Sequence, residues 1–133
     1  RCHGHTLGHY LSACAMMTAA TADPQFPERV AYIVTELGAC QQARGDGLIC
    51  AFPDGAAQLN NALEGKPIVG VPWYTLHKIM AGLRDAHTIA NNSQALVVLT
   101  RLADWIEAEA ACSALFSTTT YSWRWKRSIR ENA

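Results

Sequence analysis

Over residues 7–21 the apolar positions return at three- and four-residue steps, through Leu7, Tyr10, Leu11, Cys14, Ala15 and Thr18. That is the spacing of one helix face. Ala, Met and Leu fill many of the positions between and favour the same conformation, so a largely buried helix is predicted. Ala22-Asp23-Pro24 stops it, and Pro27 stands where a first-turn proline is tolerated. A second periodic run follows through Val30, Ile33, Val34, Leu37 and Cys40. The first unit is therefore a helical hairpin.

The pattern changes over residues 44–71. Gly45-Asp46-Gly47 reads as a turn, residues 48–52 are too short for a helix, and Pro53, Gly55, Gly65, Pro67 and Gly70 punctuate the rest. A long loop is predicted, with one helical turn over residues 57–63; its apolar and aromatic content argues against disorder. After Pro72 a third helix runs over residues 73–90, with Leu76, Ile79, Met80, Leu83 and Ala86 on one face. A fourth covers residues 94–110 through Leu96, Leu99, Leu102 and Ile106. Asn91-Asn92-Ser93 separates the two.

The two hairpins match each other when offset by about 68 residues, His9 with His77, Ala13 with Ala81, Ala22 with Ala90 and Val34 with Leu102. Hairpin after hairpin with a long loop between predicts an all-α stacked array or toroid. Two hairpins cannot close a toroid, so apolar surface is expected to stay open to the remainder of the barrel, and the chain reads as part of a longer one.

Composition narrows the partners. The chain has 133 residues, 50% of them hydrophobic, and eleven Lys/Arg against eleven Asp/Glu with a pI near 7.1. No electrostatic footprint for nucleic acid or an anionic membrane follows from that balance, and no stretch approaches the roughly 20 apolar residues of a spanning helix. The balance is uneven, however. Arg124, Lys126, Arg127 and Arg130 stand against Glu131 alone at the end of the chain, so residues 111–133 read as a basic tail distinct from a helical domain over residues 1–110. Interleaved Trp123, Arg124 and Trp125 have the character of a base-stacking segment, but the run is short.

Five cysteines, Cys2, Cys14, Cys40, Cys50 and Cys112, are odd in number and irregular in spacing. Buried thiols and a disulfide framework are the two readings, and the helix-face positions of Cys14 and Cys40 favour thiols. Cys2-His3-Gly4-His5 has metal-ligating residue types without a second cluster to complete a zinc set. Asp46 and Asp54 read as turn residues before they read as a carboxylate pair.

Two segments carry a resemblance. Gly4-His5-Thr6-Leu7-Gly8-His9-Tyr10-Leu11-Ser12-Ala13 and Val71-Pro72-Trp73-Tyr74-Thr75-Leu76-His77-Lys78-Ile79-Met80-Ala81-Gly82-Leu83 resemble motifs of the beta-L-arabinofuranosidase family of glycoside hydrolases. The stretch from Gly45 through Ala51-Phe52-Pro53 is similar to the family's loop between those helices, and Leu102-Ala103-Asp104-Trp105 to its fourth helix. The resemblance implies part of an (alpha/alpha)6 barrel and a carbohydrate partner containing L-arabinofuranose. It also implies, for a full-length relative, a zinc-bound cysteine nucleophile with a glutamate acid/base.

Nothing in this chain matches those cysteine and glutamate motifs, so no catalytic residue and no cofactor are expected within it. His3 stands where the family usually has arginine. Carried over position by position, the resemblance implies sugar-contacting roles for His9 and His77, with Trp73 and Tyr74 near them at the entrance to the third helix. Imidazole exchanges hydrogen bonds with sugar hydroxyls, and an aromatic face covers the apolar side of a furanose. The residues alone leave a second reading for each histidine, a hydrogen-bonded core position, and for the chain, a non-catalytic helical-repeat module that binds a glycan or protein.

Overall fold

The computed structural model describes residues 3–52 and 54–112, with the side chains of the last three left aside. Five helices follow one another: α1 (His5–Ala20), α2 (Gln25–Arg44), α3 (Gly55–Leu63), α4 (Pro72–Thr88) and α5 (Ser93–Cys112). No strand occurs among the described residues, and the all-α class predicted from periodicity holds. Cys2, Pro53 and the basic tail from residue 113 lie outside the described residues.

The helices form two layers. α1 and α4 lie side by side over most of their lengths, α2 packs behind α1, α5 packs behind α4, and α2 also touches α5. This is the arrangement of two neighbouring helix pairs in an α/α barrel. The interior is one apolar cluster: Leu11, Cys14 and Ala15 from α1, Val30, Val34 and Leu37 from α2, Leu76, Ile79 and Leu83 from α4, and Val98, Leu99 and Leu102 from α5. These are the periodic positions of the sequence, which is why burial of one helix face per element suffices to build the core.

Close approach of α1 and α4 depends on two glycines. A Cβ at Gly8 would overlap the Lys78 carbonyl, and one at Gly82 would sit 2.6 Å from the Gly8 carbonyl oxygen. With no side chain at either place, the backbones touch. One turn further along, the Ser12 hydroxyl donates to the Asp85 carboxylate at 2.7 Å across the same seam. The pairs Gly8 with Lys78, and Ser12 with Asp85, advance together along the chain, so the two helices run parallel.

Two details differ from the sequence expectation. The single turn predicted over residues 57–63 is a nine-residue helix, because Leu59 and Leu63 are buried and tertiary packing outweighs the flanking glycines and asparagines. The helix predicted to reach residue 90 ends at Thr88, where the chain turns through Asn91 in a left-handed conformation, φ 55°, and the Asn92 side-chain oxygen accepts from the Ala95 N–H at 3.0 Å. That side chain satisfies one of the open donors at the start of α5.

The long segment between the hairpins is ordered by its ends. Gly47 lies against the backbone of Arg101 on α5. The buried Gln41 donates from Nε2 to the carbonyls of Gly47, at 2.7 Å, and Val98, at 2.9 Å. Leu48, Ile49 and Phe52 are buried, and Ala51 reaches Gly4 at the start of α1. The loop thus crosses the end of the bundle from the α5 layer to the α1 layer.

Candidate functional site

The N-terminal ends of α1 and α4 meet under this loop. Pro72 starts α4 at a position where its missing N–H costs no hydrogen bond. The Thr75 hydroxyl donates to the His3 carbonyl at 2.9 Å, which holds the segment before α1 against the first turn of α4. His3 in turn places its ring edge-on to Phe52, centroids 5.3 Å apart.

On a side of α1 and α4 that no other described element covers, where His9, Tyr74 and His77 are exposed, stands a group of rings. His5 lies edge-on to His9 at 6.1 Å and tilted against Tyr74 at 5.9 Å. The Lys78 ammonium sits 5.1 Å from the centre of the Tyr74 ring, a cation–π arrangement that favours this ring position. Tyr74 is 43% exposed, and His9 and His77 are both exposed. His77 is one turn beyond Tyr74 on α4, and Lys78 beside it is the residue on which Gly8, the neighbour of His9, packs. Both histidines therefore flank the point where the two backbones touch. Among the described residues no hydrogen bond engages the His9 or His77 ring, and both rings are exposed, unlike a hydrogen-bonded core position.

Trp73 is placed differently from its neighbour. It is half-buried and packs against the apolar core, while Tyr74 turns outward. The structure thus brings His9 and Tyr74 together through His5, sets His77 one turn away, and turns Trp73 partly inward. In the sequence His5 stands both in the Cys2-His3-Gly4-His5 cluster and in the Gly4–Ala13 motif, without a sugar-contacting role of its own. Its spacing of four from His9 on a helix was the available signal, because positions i and i+4 share a face.

The cysteines do not converge on this group. Cys14 is buried in the core and Cys40 exposed on α2. Cys50 is half-buried against Gly55, and burial pushes its thiol up from the ordinary range, the Phe52 and Ala51 N–H groups and Arg44 acting weakly the other way. That is the opposite of an activated thiolate. Among the described residues no three His, Cys, Asp or Glu side chains are grouped to hold a metal ion. They do not fit the zinc that the resemblance implies for a full-length relative. Also among the described residues, no helix is long and apolar enough to cross a membrane.

Asp46 and Asp54 stand apart from the site as well. Asp46 pairs with Arg44 at 2.7 Å and caps the Leu48 N–H at 3.0 Å, and these bonds hold its carboxyl below the usual range. Asp54 accepts from the Gln58 side chain at 2.8 Å. Both do local turn and helix-end work.

No curated protein matches the chain. The family model described as beta-L-arabinofuranosidase, GH127 catalytic domain, matches residues 1–119, a span that contains every helix and every ring described above. The parallel pair α1 and α4 backed by α2 and α5, with the motif residues at one end of that pair, agrees with that match, and the chain belongs to the GH127 beta-L-arabinofuranosidase catalytic-domain family.

Proposed function

We propose that the uncovered face of α1 and α4 is a sugar-binding face, which holds an L-arabinofuranose-like residue through His9 and His77 and rests it on Tyr74. The observation that carries the reading is the placement of two exposed imidazoles, with no hydrogen bond to either ring among the described residues, on either side of the Gly8–Lys78 contact, beside an exposed ring with the Lys78 ammonium over it. A sugar hydroxyl offers both a donor and an acceptor, and a neutral imidazole offers one of each. The apolar face of a furanose covers an aromatic ring at little desolvation cost.

Glycoside cleavage needs a nucleophile or activated water together with an acid/base group, and neither role is assigned to a described residue. Burial pushes the Cys50 thiol up, away from an activated thiolate, and among the described residues no carboxylate hydrogen-bonds to the rings of His5, His9, Tyr74 or His77. The face is read as a binding half of a hydrolase site. The acid/base, the nucleophile and any zinc are assigned to residues other than these.

Calorimetric titration of the chain with methyl β-L-arabinofuranoside tests the reading. Saturable binding that weakens about tenfold in each of His9→Ala and His77→Ala, the worth of roughly one hydrogen bond, is the expected result. Absence of saturable binding, or binding indifferent to both substitutions, contradicts it.

A further inference from the structure

We infer that His5 is a third sugar-binding group of this face, donating a hydrogen bond from Nε2 to a hydroxyl of the bound glycoside; the inference rests on the sugar-face reading above. His5 has one ring nitrogen sealed in and one left free. Nδ1 is buried with no hydrogen-bond partner, while the residue as a whole is only half-buried and Nε2 is not among the buried unpartnered atoms. The ring stands between those of His9 and Tyr74, on the face where both are exposed.

A ring kept at this place for packing alone would be better without Nδ1, since a sealed polar atom with no partner costs free energy that a phenyl ring avoids. The sealed atom also decides which proton the ring carries. A buried orphan N–H is rarer in folded proteins than a buried orphan acceptor. The neutral tautomer that satisfies this preference leaves Nδ1 bare and puts the hydrogen on Nε2, which makes the exposed nitrogen a donor. His9, one turn along the same helix face, faces no such constraint and is free to donate or accept. His5 therefore adds a fixed donor beside an adaptable partner.

Two measurements on the whole chain test this. A long-range proton–nitrogen correlation spectrum of the ¹⁵N-labelled protein reads the tautomer directly, and a bare Nδ1 with a protonated Nε2 at His5 is expected. The reverse tautomer overturns the inference, whatever the variants do. Titration with methyl β-L-arabinofuranoside reads the binding role. His5→Phe, which keeps the ring and removes the donor, is expected to weaken binding about tenfold with an unchanged far-ultraviolet circular dichroism spectrum. His5→Gln, which restores a terminal N–H donor, is expected to recover most of the loss.

Wild-type binding that His5→Phe leaves intact overturns the inference while the sugar-face reading stands. A wild-type chain that binds no glycoside overturns both. Should His5→Phe fail to fold, the tautomer spectrum and His5→Gln decide.

Discussion

The two long sides of the α1 and α4 pair are built on opposite terms. Where the helices meet, nearly every residue has its identity set by space: Gly8 and Gly82 have no room for a Cβ, Leu11, Leu76 and Leu83 are almost fully buried, and Ser12 and Asp85 satisfy each other. On the uncovered side His9, His77 and Tyr74 are exposed, and packing explains none of their chemistry. Residues whose identity packing does not require are where a role in binding is sought. The comparison also shows how the sides are coupled, because Gly8 is adjacent to His9 and packs on Lys78, adjacent to His77.

Substitutions on the packed side are expected to give the largest losses of stability. Leu83→Ala removes a fully buried side chain and should cost about 2–5 kcal/mol in chemical denaturation. Gly8→Ala should cost about 1–3 kcal/mol, because the added methyl overlaps the Lys78 backbone and the helices must part. It should also weaken glycoside binding, since parting α1 from α4 separates His5 from Tyr74. Loss of stability with binding untouched in Gly8→Ala would break the proposed coupling of the two sides.

On the uncovered side the order reverses. His9→Ala and His77→Ala should leave stability within about 0.5 kcal/mol of the parent while lowering glycoside affinity about tenfold. A destabilisation as large as that of Leu83→Ala would mean that these histidines are structural after all.

The smallest effect is expected away from both sides, at Arg44 and Asp46 on the turn after α2, whose side chains are each 39% exposed. Asp46 is held below the ordinary carboxylate range in the fold, so its contribution is present above its unfolded value near pH 4 and is lost as pH falls through the lower folded value. For an exposed pair this amounts to under about 1 kcal/mol. Comparison of Asp46→Asn with the parent at pH 7 and pH 3 should give a difference that shrinks at the lower pH, with glycoside binding unaffected.

Much of the fold was legible in the sequence because helix periodicity records one-sided burial directly. Val30, Ile33, Val34 and Leu37 were spaced to be buried together and are. The helix at 55–63 is longer than the turn its sequence predicts, since its burial depends on contacts that residues distant in sequence supply. The seam was not legible either. Ser12 and Asp85 are 73 residues apart, and only the folded chain reveals that Gly8 meets Lys78.

For the site, the motif histidines His9 and His77 could be named from sequence, but their exposure could not. The half-burial of Trp73 and the sealed Nδ1 of His5 likewise depend on neighbours brought in by α1, α4 and the loop between the hairpins.

The proposed sugar-binding face lies beside His5, His9, Tyr74 and His77. A nuclear magnetic resonance titration of the ¹⁵N-labelled chain with methyl β-L-arabinofuranoside tests it most directly. Saturable shifts confined to the first turns of α1 and α4 are expected, with Tyr32 of α2 and Val97 of α5, both exposed on the other layer, unmoved. Saturable shifts centred on α2 and α5, or no saturable shift at all, would contradict it.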